Sequence, residues 1–135
     1  MDRRAAIAFT LGALASAATA QAVEGGGLVI DGNVLAELDA LRKEAKFVDP
    51  LGIIKPGERA RLEPLINDLL DRLRTGIQVH PEQSWVISQM QPTVAAFYLE
   101  DTELREPSVE YLMRIFRILG MKGANGAFKQ YYLDL

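Results

Sequence analysis

Residues 58–76, "ERARLEPLINDLLDRLRTG", decide the fold. Leu62, Leu65, Ile66, Leu69, Leu70 and Leu73 recur at helical spacing and form one apolar stripe, with Arg, Asp and Asn opposite. Pro64 is expected in the first turn or at a kink, because an interior proline removes a backbone hydrogen bond. Gly76 is placed to close the helix as a left-handed C-terminal cap. A helix with one apolar stripe needs partners, and the flanking sequence supplies them.

Upstream, Asn33 is a good N-cap for "VLAELDALRKEAKF" (34–47), in which Val34, Leu35, Leu38, Leu41 and Ala45 recur at helical spacing. Asp39 and Lys43 form a favourable i,i+4 pair, and the helix should end near Phe47. Between it and the central stretch lies an apolar loop, "LGII" (51–54), bracketed by Asp49-Pro50 and Lys55-Pro56-Gly57, which must pack on something. Downstream, a third helix is expected from Pro81 to Tyr98, with Trp85, Val86, Ile87, Met90, Val94, Phe97 and Tyr98 inward and Pro92 bending or splitting it. A fourth, Pro107 to Leu119, is apolar over most of its circumference, so it is either central or part of a subunit interface in a homodimer. "GMKGANG" (120–126) makes a Gly-rich turn, and Phe128, Tyr131, Tyr132 and Leu135 suit a short terminal helix. No useful strand alternation appears. The fold class is all-α: a compact bundle of four to five helices, residues 33–135 forming a single helical domain behind a flexible leader, 23–32.

The first residues read as an export signal. Arg3 and Arg4 precede an apolar stretch, Ala5 to Ala17, and small-x-small sites allow cleavage after Ala20 or Ala22. The stretch is too short and Ala-rich to span a bilayer, so a signal peptide over 1–22 and a periplasmic or secreted protein are expected. Removing it takes away two Arg and one Asp, and the net charge of −3 becomes −4. That balance argues against nucleic acid and anionic lipid surfaces and suits a cationic partner. With no Cys, packing alone must hold the domain.

Familiar catalytic constellations are missing. His80 is the only histidine and sits before Pro81, where a capping or surface role is expected. Cys-His and Ser-His-Asp chemistry, common zinc sets, phosphate loops and dinucleotide fingerprints are absent, so no metal or cofactor is expected. Gly120, Gly123 and Gly126 follow a helix with no preceding strand and are turn residues. The remaining chemistry is carboxylate chemistry in "FYLEDTELREPSVEY" (97–111), which crowds Glu100, Asp101, Glu103, Arg105, Glu106 and Glu110 together. Asp101 and Glu103 could serve a glycan hydrolase, which needs two acids about 5 to 9 Å apart. Helix-start chemistry accounts for the same residues: Asp101 or Thr102 caps, Glu103 faces the positive end of the dipole, and Arg105 pairs with a neighbouring acid. Pro107 should then push Glu106 out of helical geometry, leaving a short turn before the fourth helix.

"LRKEAKFVDPLGIIKPGE", "LINDLLDRL" and "FYLEDTELRE…YLMRIFRILGMKGANG" together resemble a family of small bacterial all-helical proteins of unknown function. That family carries a Lys-Phe after its first helix, an Asn in its second, an Asp-Thr-Glu-x-Arg-Glu segment, and a Tyr-containing helix ending Leu-Gly. The match covers roughly residues 38 to 132. In type, the chain also looks like the immunity proteins of type VI secretion amidase effectors. By that analogy it would be a non-enzymatic periplasmic inhibitor of a basic peptidoglycan hydrolase. The expected partner-binding residues are the charged turn (Asp101, Glu103, Arg105, Glu106) and the Gly-rich turn (Lys122, Asn125).

Overall fold

Asp31 starts the first helix, α1 (Gly32–Lys43), by accepting the Val34 N–H on its carboxylate at 2.9 Å. The cap is therefore two residues earlier than Asn33, which instead donates to Glu37. The helix also stops before Phe47, because Lys46 turns back and its ammonium donates to the carbonyls of Arg42 (3.2 Å) and Glu44 (2.8 Å). These acceptors would otherwise be left open at the C-terminal end of the helix. The computed structural model describes residues 27–135. The expected signal peptide and residues 23–26 of the leader lie outside the described residues.

α2 (Pro56–Gly76) begins with proline at its first position, and the Lys55 N–H is held by the Glu58 carboxylate at 2.9 Å. Its buried residues, Leu62, Ile66, Leu69, Leu70 and Leu73, are five of the six in the sequence stripe, and the sixth, Leu65, is half-buried against the core. Each leucine contributes about 1.5–3 kcal/mol relative to exposure, an upper estimate because the unfolded chain already buries part of its surface. α3 (Gln83–Tyr98) buries Val86, Met90, Thr93, Val94 and Phe97. α4 (Thr102–Leu119) buries Leu104, Ser108, Leu112, Ile115, Phe116 and Leu119. Most of its broad apolar surface is thus used inside the chain, leaving Met113 as its exposed large apolar residue, at 39%.

Pro107 does not precede α4 but lies inside it, as Pro64 and Pro92 lie inside α2 and α3. None of the three splits its helix. The carbonyls they leave without a backbone donor belong to Ala60, Ser88 and Glu103, all exposed residues, the setting in which an interior proline costs least.

The helices pack as a closed ring: α1 on α2, α2 on α3, α3 on α4, and α4 back on α1. Among the described residues this is an all-α structure of four α-helices. Ion pairs stitch the ring: Arg42–Asp71 (2.8 Å) and Arg74–Asp39 (3.0 Å) join α1 to α2, and Arg114–Glu44 (2.8 Å) joins α4 to the end of α1. Asp39 thus pairs across helices rather than with Lys43. Arg72 crosses to α3, donating to the Gln89 carbonyl at 2.8 Å. Such exposed pairs contribute about 0–1 kcal/mol each; the apolar centre carries the stability.

The ring has two ends. At one lie the α1–α2 connection (44–55) and the α3–α4 turn (99–101), the turn tied to α2 by Arg61–Glu100. At the other, Leu28 donates its N–H to the Pro81 carbonyl at 2.7 Å and Gly27 bridges to Glu82, so the incoming chain is pinned to the α2–α3 turn. Pro81 is consequently a pairing residue just before α3, whose N-cap is Glu82. Gly76 is helical and followed by Ile77 in right-handed geometry, so it is not a left-handed cap. Its small size matters instead: a Cβ there would lie 2.5 Å from Cζ2 of Trp85.

Candidate functional site

Asp101 is the N-cap of α4 by position: its carbonyl accepts the N–H groups of Leu104 (3.0 Å) and Arg105 (2.9 Å), while its carboxylate makes no capping bond. Asp101, Glu103 and Glu106 are exposed. Glu103, in the first turn, faces the positive end of the helix dipole as expected. Among the described residues Arg105 pairs with no acid. Its guanidinium donates to the Tyr98 carbonyl and the Thr102 hydroxyl, both at 3.4 Å, and the acid that does find a cation is Glu100, through Arg61.

Arg105 and Glu106 belong to an open groove of about 570 Å³ between α4 and the end of the chain. Thr102, Arg105, Glu106, Val109, Glu110 and Met113 form one wall, and Tyr131, Tyr132 and Leu133 the other. Asp101 and Glu103 lie outside it. The tail is not an α-helix: a 3₁₀ turn, Lys129–Tyr131, ends at Tyr132 with φ +59°, and the Leu135 carbonyl returns to accept the Ala124 N–H at 3.0 Å. Tyr98 holds it, meeting Tyr131 edge-on at 5.5 Å and stacking on Tyr132 at 6.1 Å. Tyr132 stays 85% exposed. The groove therefore has an apolar and aromatic lining with one cation and two acids, an arrangement that fits a segment with an apolar anchor and basic flanks. Its aromatic wall was visible in the sequence only as spacing, and that spacing reads as core packing.

Lys122 and Asn125 lie elsewhere. Gly120 closes α4 in left-handed geometry (φ +76°), with Met121 N–H to Phe116 carbonyl at 2.8 Å and Gly120 N–H to Arg117 carbonyl at 3.2 Å. Beyond it, exposed Lys122 and Asn125 border a shallow depression of about 450 Å³ with Gln83 and Leu135. At about 1.5 Å rise per residue, the length of α4 puts roughly 25 Å between this turn and the charged corner. The six expected partner-binding residues thus lie on two turns at opposite ends of α4.

A third cluster unites residues that the sequence reading left apart. Phe47, buried and at φ +57°, donates its N–H to the Tyr111 hydroxyl at 2.9 Å, and their rings meet edge-on at 5.0 Å. The neighbouring Lys46 N–H donates to Glu63 (2.8 Å), and Arg59 donates to the Lys46 carbonyl (2.8 Å). Burial lowers the Lys46 pKa, with Glu63 pulling it back up. Asn67, one turn along α2 from Glu63, has a buried side-chain oxygen without a partner. The Lys-Phe and Tyr of the resemblance thus meet at the α1–α2 connection, where their hydrogen bonds fix a chain reversal.

His80 is exposed and stacks on Trp85 at 5.3 Å. Among the described residues no group of three or more His, Cys, Asp or Glu could hold a metal ion, and no helix is long and apolar enough to cross a membrane.

Fold and surfaces together define a class: a small four-helix bundle with an open amphipathic groove along its last helix. The chain belongs to the family described as Domain of unknown function (DUF4844), whose model matches residues 30–134. No curated protein and no solved structure matches it.

Proposed function

We propose that this chain is a non-enzymatic binding protein of the periplasm: an immunity protein that occludes a peptidoglycan amidase delivered by type VI secretion. The groove between α4 and the tail carries the reading. It offers aromatic and apolar contact area (Val109, Met113, Tyr131, Tyr132) beside Glu106 and Glu110, on a chain of net charge −3. Rigid aromatics supply contact area at low entropic cost, and acids flanking them speed encounter with a basic enzyme. The export-type N-terminus would deliver the protein to the compartment where wall amidases act, and a chain without Cys and with one exposed His suits an inhibitor better than a hydrolase.

The test is protection. The full chain is co-expressed with type VI amidase effectors directed to the periplasm, and lysis and binding are measured. A cognate effector is neutralised, its binding weakens as salt rises, and Glu106→Lys with Glu110→Lys lowers affinity by about tenfold or more without changing the melting temperature. Failure to protect against, or bind, any member of an effector panel that includes hydrolases encoded beside this chain would sink the proposal.

A further inference from the structure

Apart from Ile54, the apolar loop before α2 leaves its large side chains exposed. Ile54 is half-buried, but Val48, Leu51 and Ile53 are 62%, 84% and 57% exposed. The backbone that displays them is nevertheless well braced. The Asp49 carboxylate accepts the N–H groups of Leu51 (3.0 Å) and Ile54 (2.9 Å), its carbonyl accepts that of Gly52 (3.1 Å), and Gly52 takes φ +78° to complete the bend. The loop enters through the Phe47–Tyr111 bond and leaves through the Lys55–Glu58 bond that starts α2. Both ends are fixed, so little conformational entropy remains to be lost when Leu51 and Ile53 are covered.

The surroundings select the occupant. Leu99, 82% exposed in the α3–α4 turn, adds apolar surface at the same end of the bundle. At this end of the bundle stand Asp49, Glu58, Asp101 and Glu103 against Lys55 and Arg105, whereas Lys46 is buried and Arg59 and Arg61 are engaged by Glu63 and Glu100, so acids outnumber the free bases. An acidic rim repels an anionic bilayer and repels its own copy, and it complements basic side chains. We infer that loop 48–54 is a preformed docking finger that inserts Leu51 and Ile53 into an apolar pocket, rimmed by Lys or Arg, of a partner protein. The inference rests on the reading of the chain as a binding protein and adds a second contact surface, separate from the groove.

The experiment places photoreactive benzoylphenylalanine at position 51, or at exposed position 130 as control, in the full chain within the cells that express it. Illumination is followed by mapping of the adducts. Position 51 should label one protein, at residues lining an apolar pocket with basic residues at its edge, and position 130 should not. That protein, purified, should bind Leu51→Ser and Ile53→Ser roughly 10- to 100-fold more weakly than the unaltered chain, the factor lost with a buried aliphatic side chain. The variants should melt with the parent, because both residues are exposed. Adducts to lipid or to a second copy, no adduct above the control, binding to vesicles of phosphatidylethanolamine and phosphatidylglycerol that needs Leu51, or equal affinity of the serine variants would each overturn the finger. If the captured protein responds to Glu106→Lys but not to Leu51→Ser, the groove stands and the finger falls. If it responds to Leu51→Ser but is no cell-wall hydrolase, the finger stands and the amidase reading falls.

Discussion

Tyr111→Phe removes a single oxygen from the core and should destabilise the domain far more than its size implies. The substitution keeps the ring that meets Phe47 at 5.0 Å. It deletes the only acceptor the structure gives the Phe47 N–H, at 2.9 Å, on a residue that is 2% exposed. A buried donor left without a partner costs about 1–3 kcal/mol. The same corner already carries the strain of a bulky residue at φ +57°, a conformation that disfavours L-residues by about 1–2 kcal/mol. At about 4–8 °C per kcal/mol for a domain near this size, the melting temperature should fall by roughly 5–20 °C. Thermal unfolding followed by circular dichroism measures it, with Tyr132→Phe as the control, since Tyr132 is 85% exposed. Hydrogen exchange should show the Phe47 amide losing protection in the first variant only. Coincident melting curves for Tyr111→Phe and the unaltered chain would refute the assignment of the hydroxyl as the brace of this corner.

Three further outcomes are expected. Gly76→Ala should destabilise by about 1 kcal/mol although alanine favours helix by a similar amount, because its Cβ would lie 2.5 and 2.7 Å from ring carbons of Trp85; in a Trp85→Leu background the same change should stabilise, and urea midpoints report both signs. Glu44→Gln should cost about 0.2–1 kcal/mol at neutral pH, since the ion pair with Arg114 is partly exposed. The Arg114 hydrogen bond holds the Glu44 carboxyl below its ordinary value, so the difference should be complete above the ordinary carboxylate range and vanish as pH falls through the lowered value, in denaturation series read against pH. Asp49 is likewise held low, chiefly by the Ile54 amide and also by those of Leu51 and Ile53. Limited proteolysis of loop 48–54 should therefore stay slow until pH falls below the ordinary carboxylate range, and become fast at neutral pH in Asp49→Ala.

The parts of this fold that were legible in the sequence are those set by local periodicity. The α2 stripe buries just where spacing places it, and the Gly120 turn closes α4 with the geometry its glycine allows. Reading failed where a distant residue decides. The helix does end at Gly76, but without the left-handed cap that a closing glycine suggests; the glycine answers to Trp85, on the next helix. Pro107 looks like a helix start because interior proline is costly, and its tolerance inside α4 goes with the exposed position of Glu103, four residues earlier. The tail pattern of Phe128, Tyr131 and Tyr132 suits a helix, but the return of Leu135 to Ala124 and the left-handed Tyr132 impose a tighter turn. For the candidate sites, the sequence pointed to the charged corner but not to the groove beside it, whose second wall is the tail. The charged turn and the Gly-rich turn, read as two candidates, lie at the two ends of α4.

The bridge between Gly27 and Glu82, with the Leu28–Pro81 bond beside it, fixes where the chain enters the bundle. Loop 48–54 sits at the start of α2 and the bridge beyond its end, roughly 30 Å apart at the rise of a helix this long. Any pull transmitted through residue 27 therefore acts on the α2–α3 turn and leaves Leu51 at the far pole. A protein immobilised through its N-terminal side would stand on a surface with its apolar tip pointing into solution. Attachment through the loop or the charged corner would bury that tip, so the choice of coupling site alone should turn binding on or off in any surface-based assay.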